Sequence, residues 1–451
     1  MRKLTYYTIL SLLTLSLGSC DDNLNIEPEQ NLSPDVATSN PSNIRNIVNN
    51  IYGEARDNDS YGGGIAMAAD LLGDDGKISW NGTYTQPAEY EEKAIISDNV
   101  YVEDIWMNAY EINNQANIVL ANLDVFEDAD QRDLTEGEAK FLRALAYFDL
   151  VRLYAKPYEA GQTNSQLAVP IVLEPVLDAT TVSKPPRNTA EEVYIQVLND
   201  LSDAYNLLPE SNDVYADKYT ARALQARVYL QMGDYINARD AANEVIGDSP
   251  FTLTSDFASA FNNDGNSTED IFAWQVTSQD VSINSFNEFW AGQDFGGRPG
   301  NPDISINEEH FAIYDDPNDE RGMFFYDTAR LIATTKWQSQ FANIPFIRLS
   351  EMYLIRAESN FRLDTEIGAT PKDDINRLRD RAKADTFDSV DLDTILMERQ
   401  RELSFEGIAL FDAKRLKRNV GDIPYNANRL VLPVPLREMD ANTNLEQNPG
   451  Y

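Results

Sequence analysis

The stretch TARALQARVYLQMGDYINA, residues 220–238, decides how the rest of the chain is read. With the residues that follow, it places Ala226, Tyr229, Gly233, Asp234, Tyr235, Ala238 and Pro250 at the small, aromatic and terminating positions of a helical hairpin. Alanines let two helices approach closely, tyrosine fills the groove between them, and glycine with proline closes the unit.

A weaker echo of the first helix, Ala-x-x-Tyr/Asn-x-x-Leu/Met, stands at Ala144, Tyr147, Leu150, at Ala226, Tyr229, Met232 and at Ala357, Asn360, Leu363. The pattern is that of a tetratricopeptide unit of about 34 residues, but the copies are too far apart to be in tandem. Other helices have clear starts. Ile44, Ile47, Val48, Ile51 and Tyr52 lie on one helix face behind Pro41-Ser42. Thr135-Glu136-Gly137-Glu138 reads as a capping box opening a helix through Tyr154, and Thr189-Ala190-Glu191-Glu192 opens another that stops at Leu208-Pro209. Two regions lack this regularity, at about 61–90 and 249–337, the second with the Phe295–Pro302 loop. The expected fold class is mainly α: a tetratricopeptide-like helical-pair scaffold with two irregular, loop-rich insertions. A length of 451 residues suggests two or three domains, but an interrupted scaffold forms one cooperative unit, here expected over 42–451.

The first residues read as an export signal. Arg2 and Lys3 precede an apolar run from Leu4 to Leu17, shorter than the roughly 20 residues needed to span a bilayer. Leu17-Gly18-Ser19-Cys20 resembles a bacterial lipobox, with cleavage after residue 19 and lipidation of Cys20, the only cysteine in the chain. A free thiol or half of an intermolecular disulfide are the other readings, and the position at the end of the apolar run selects the lipid. Residues 20–41 are then a lipidated, flexible tether, and the lipid is the only expected contact with the membrane. The 74 acidic and 37 basic residues give a net charge of −37, which excludes nucleic acid as a partner. With 42% hydrophobic and 10% aromatic residues the chain can bury a large core without disulfides.

Seven blocks in order resemble the SusD/RagB family of nutrient-binding outer-membrane lipoproteins of Bacteroidetes-type bacteria. They are GEAKFLRALAYFDLVRLY at 137–154, NTAEEVYIQVLNDLSDAYNLLP at 188–209, TARALQARVYLQMGDYINA at 220–238, IPFIRLSEMYLIRAESNFRL at 344–363, INRLRDRA at 375–382, ERQRELSFEGIALFDAKRL at 398–416 and LEQNPGY at 445–451. The resemblance implies a lipid-anchored protein on the outer face of the outer membrane. It also implies a helical body over a SusC-like TonB-dependent transporter, helping to capture an oligosaccharide or, in some members, a peptide. A structural cap on the transporter with little affinity of its own is a third reading.

Repeats spend their side chains on packing, so recognition is expected in the insertions. A sugar ring stacks its apolar face on an aromatic ring and offers its hydroxyls to amides and carboxylates. Two clusters fit: Asp74, Lys77, Trp80, Asn81 and Tyr84, and Phe286, Phe289, Trp290 and Arg298. The competing reading is that these aromatics plug the loops onto the body, as is expected for Trp274 and Trp337. No enzyme is expected, because His310 is the only histidine and no triad, cysteine–histidine metal motif or phosphate loop can be assembled. No cofactor or metal is expected either: Asp315 to Glu320 reads as a solvated turn rather than a calcium loop. The basic run Lys414, Arg415, Lys417, Arg418 is expected to pair with Glu398, Glu402 and Glu406.

Overall fold

The computed structural model describes residues 34–178, 180, 182–279 and 284–451. The leader, Cys20 and most of the tether lie outside the described residues. In chain order the helices are α1 Pro34–Ala37, α2 Pro41–Ala55, α3 Gly64–Gly73, α4 Thr85–Glu92, α5 Val100–Ala121, α6 Ala129–Tyr154, α7 Ala190–Leu207 and α8 Lys218–Met232. They continue with α9 Tyr235–Asp248, α10 Ser285–Trp290, α11 Glu308–Phe311, α12 Leu349–Leu363, α13 Pro371–Arg381, α14 Leu392–Leu403, α15 Ala409–Arg415 and α16 Leu436–Ala441. The strands are β1 Ile78–Trp80, β2 Asp270–Trp274, β3 Ile304–Ile306, β4 Phe325–Asp327, β5 Ile332–Thr334 and β6 Ile344–Arg348.

The hairpin of 220–238 forms as its sequence dictates. The Asp217 carboxylate accepts from the Thr220 amide at 2.7 Å and starts α8. Gly233 ends it at φ 74°, a left-handed conformation that only glycine adopts without strain, and the Asp234 side chain caps α9. Ala226, Ala238, Ala241 and Ala242 have no exposed surface, so the two helices meet through their smallest residues.

In space the array is continuous: α5 packs on α6, α6 on α7, α7 on α8, α8 on α9, α9 on α12 and α12 on α13. The chain leaves after Asp248 and returns at Leu349, yet α12 stacks on α9 as if nothing intervened. Strand β2 pairs antiparallel with β6, which runs straight into α12, and this ties the second insertion to the array. The Thr189 capping box is present in full, with Glu192 reaching back to the Thr189 amide at 2.8 Å. The Thr135 box is not. Helix α6 begins at Ala129 under an Asp128 cap, so Thr135 lies inside it and bonds back to the Gln131 carbonyl at 2.7 Å. Its would-be partner Glu138 is buried and pairs with Arg45 and Asn212. The polar first turns of α6 carry no apolar periodicity, so a start two turns upstream left no trace in the sequence.

The insertions are more ordered than their sequence suggests. The first contains α3, β1 and α4, and a four-stranded sheet in the order β1-β3-β5-β4 joins it to the second. A buried ionic network ties the end of β6 to α13, α14 and the turn before β4. Arg348 bonds Glu269, Glu402 at 2.9 Å and Glu406 at 2.7 Å; Arg321 bonds Asp319 at 2.7 Å and Glu398 at 2.8 Å; Arg379 bonds Glu398 at 2.6 Å. Glu398 and Glu402, one turn apart, lie on the inner face of α14 with no exposed surface. They are therefore out of reach of the basic run, which finds other partners. Arg415 pairs with Glu358 and Asp412, Lys417 with Glu159, and Lys414 donates to the Arg152 carbonyl. The turn at Asp315–Glu320 belongs to the same network, since Asp315 pairs with Arg379 and Arg401 and Asp319 is buried against Arg321.

Candidate functional site

Strand β1 lies against β3 with Ile78 opposite Ile306 and Trp80 opposite Ile304, so the two aromatic clusters become neighbours. Asn81 locks the junction: its amide N–H donates to the Asp303 carbonyl at 2.6 Å, and its side chain donates to Ser79 and to the Ser305 hydroxyl at 2.9 Å. Trp80 is 9% exposed. Its indole N–H donates to the Tyr84 carbonyl at 3.1 Å, Gly82 covers the ring so closely that a Cβ there would sit 2.3 Å from it, and Phe289 meets it edge-on at 5.7 Å. Trp290 is 1% exposed against Phe405, and Phe286 is buried against Trp337 at 4.1 Å.

Trp80, Trp290 and Phe286 therefore present no free face, which corrects their expected role as stacking surfaces. The reason was in the spacing. Phe286, Phe289 and Trp290 stand at i, i+3 and i+4, the apolar face of the short helix α10, and that face turns inward. Asp74 is also removed from the other candidates; its carboxylate accepts from the Gly76, Lys77 and Ile78 amides and shapes the turn into β1. Trp274 and Trp337 are buried as expected.

Tyr84 and Arg298 are the candidates that the fold leaves at the surface together. Tyr84 is 40% exposed, and the Arg298 guanidinium lies 3.9 Å from its ring centre. Arg298 also pairs with Asp303 at 3.0 Å and donates to the Thr83 hydroxyl at 3.3 Å. On this junction opens a pocket of about 220 Å³. Asn58 and Asp59, between α2 and α3, form one side, with Gly64 and Met67 of α3. Tyr101 and Ile105 of α5, Tyr84, and Ser285, Glu288 and Phe289 of α10 complete it. The rings of Tyr84 and Tyr101 stand edge-on at 6.4 Å, and Tyr84 meets Phe289 edge-on at 6.3 Å. Burial raises the Asp59 and Glu288 carboxyls; Asp57 pushes Asp59 further up, while at Glu288 the Arg298 charge opposes the rise and Asp303 and Asp59 add to it. Asn58, Asp59 and Tyr101 had no signal in the sequence, because they belong to scaffold helices and their turns rather than to an aromatic cluster.

His310 lies away from this pocket. It is buried among Phe405, Phe325 and Tyr314, and desolvation lowers its pKa to about 3, so the ring is neutral. Among the described residues no group of three or more His, Cys, Asp or Glu is placed to hold a metal ion, and no helix is long and apolar enough to cross a membrane.

These features define a helical-repeat protein carrying a solvent-open pocket at the seam of two insertions. A family model described as "SusD family" matches residues 212–451, and one described as "Starch-binding associating with outer membrane" matches 23–230. The first spans more than half of the chain, and the chain belongs to the SusD family. SusD-like protein P2 of Formosa agariphila is 26% identical over 100% of this chain and 99% of its own length. A SusD superfamily protein of Bacteroides thetaiotaomicron superposes with a TM-score of 0.82 at 25% identity, covering 91% of this chain and 100% of that one. A structure titled as a putative sugar binding protein from Bacteroides vulgatus superposes at 0.81 with 27% identity, over 91% of this chain and 99% of that one.

Proposed function

We propose that this chain is a glycan-binding lipoprotein of the outer membrane that binds an oligosaccharide in the Tyr84–Tyr101–Phe289 pocket and passes it to a partner TonB-dependent transporter. The observation that carries the reading is the convergence of two insertions, distant in sequence, on one open pocket of aromatic rings and hydrogen-bonding side chains. Tyrosine rings supply stacking surfaces, and Asn58, Asp59, Ser285 and Glu288 supply partners for hydroxyls. The likeness to the sugar binding protein of Bacteroides vulgatus supports the ligand class.

In this reading residues 1–19 are removed, Cys20 carries the lipid, 20–41 are the tether and 42–451 are the binding domain, facing the exterior. The pocket binds rather than catalyses. The burial of Trp80 and Trp290 favours a second reading, a structural cap on the transporter with little ligand affinity. A glycan panel read by calorimetry separates the two. Binding of at least one oligosaccharide by the purified chain supports the first reading, and co-purification with the transporter without binding to any glycan supports the cap. Membrane fractionation and labelled-palmitate uptake by a Cys20→Ala variant test the anchor. Both should be lost, and a variant that still fractionates with membranes and takes up labelled palmitate removes the lipoprotein assignment.

A further inference from the structure

We propose that the pocket is built for a glycan unit carrying a positive charge, an unacetylated amino sugar whose ammonium group lies between Asp59 and Glu288. This rests on the glycan-binding reading and adds the ligand's charge to it. Asp59 and Glu288 both line the pocket, and no lysine or arginine does. Among the described residues, neither carboxylate makes a hydrogen bond or an ion pair within the protein, which sets them apart from the buried carboxylates of the ionic network. Arg298, the base whose charge reaches Glu288, is bound to Asp303 at 3.0 Å and to Thr83 and lies over the Tyr84 ring.

The surroundings add charge of the same sign. Asp57 precedes Asp59 on the turn after α2, and Asp104 follows Tyr101 on α5, where burial, with Asp59, Glu103 and Asp57, raises its carboxyl to about 6. A second, independent observation concerns Ser285. It is 5% exposed, it lines the pocket, and its hydroxyl has no hydrogen-bond partner among the described residues. The residue is buried but its hydroxyl opens on the pocket, where a ligand donor can reach it. An ammonium group has three donors, enough for Asp59, Glu288 and Ser285 at once. The electron-rich face of Tyr101 attracts the same cation, whereas a uronate or a sulfated sugar would meet two carboxylates.

The test is a glycan array spanning several linkages, followed by calorimetry at pH 6 on the full chain. Matched oligosaccharides of glucosamine, N-acetylglucosamine, glucose and galacturonate serve as probes. The amino form should bind about tenfold or more tighter than the acetylated and neutral forms. Glu288→Gln and Asp59→Asn, near-isosteric changes whose folding is checked by thermal melting, should each remove most of that preference, weakening the amino form far more than the neutral form. Equal affinity for amino, acetylated and neutral probes, or tightest binding of the uronate, overturns the inference while the glycan-binding reading stands. If no carbohydrate of any charge binds, that reading falls and this inference with it, and binding of a lysine-rich peptide would then place the chain among peptide binders.

Discussion

In the helical array Ala144, Tyr147, Ala226 and Ala357 are buried by helices that follow a repeating pattern. In the insertion layer Trp80 is buried by Gly82 next door and by Ile304 and Phe289 from far along the chain. Both regions hide their large residues, but the array does so by repetition and the layer by long-range strand pairing and a set of buried charges. Closing the layer consumes its tryptophans. What remains open at the seam is Tyr84, Asp59 and Glu288, with the half-buried Tyr101 beside them. The contrast teaches that a residue's type marks it as able to bind a sugar, and its place in the packing decides whether it is free to.

The layer is the more fragile partner. Removing Arg348 by Arg348→Met leaves Glu269, Glu402 and Glu406 around a neutral side chain in the interior. Breaking a buried network from one side costs about 3–5 kcal/mol, so chemical denaturation should show a large loss of stability. A loss below about 1 kcal/mol would mean that the charges do not hold the layer down. The array answers to shape instead. Ala226→Leu, at a helix contact with no exposed surface, should overpack it by about 1–3 kcal/mol and lower the denaturation midpoint. An unchanged midpoint would remove Ala226 from the close helix contact.

A smaller effect probes the join between the two regions. Asp70 of α3 is buried and accepts from the Gly407 and Ala409 amides at 3.0 and 3.3 Å, and burial raises its pKa to about 7. A carboxyl with a raised folded-state pKa binds its proton more tightly folded than unfolded, so stability grows as pH falls through that value. His310, held neutral by burial, pulls the other way below its ordinary pKa, and the comparison with Asp70→Asn cancels it. Between pH 8 and pH 6 the stability difference between wild type and Asp70→Asn should shift by about 1 kcal/mol in favour of the wild type. A difference that is flat with pH would show that the Asp70 carboxylate stays ionised.

The array was legible because its information is local. Gly233-Asp234, the Thr189 capping box and the alanine spacing each specify a turn, a start or a contact within a few residues. The layer was legible only in composition. Its aromatic residues could be named, but their burial depends on the register of Ile78–Trp80 against Ile304–Ile306, which no local pattern encodes. The inward face of α10 was the exception, since the spacing of Phe286, Phe289 and Trp290 carried it. The network at Arg348 stayed hidden for a related reason: arginines and glutamates read as surface residues unless their partners are known.

The central claim is that the ligand meets the seam at Tyr84 and leaves the buried tryptophans untouched. Calorimetry with the best-binding glycan on wild type, Tyr84→Ala and Trp290→Phe tests it most directly, with thermal melting run in parallel. Tyr84→Ala should weaken binding by about 1–3 kcal/mol with little change in melting. Trp290→Phe should lower the melting temperature and leave affinity unchanged. Full affinity in Tyr84→Ala, or lost affinity in a stably folded Trp290→Phe, would contradict the placement of the ligand at this pocket.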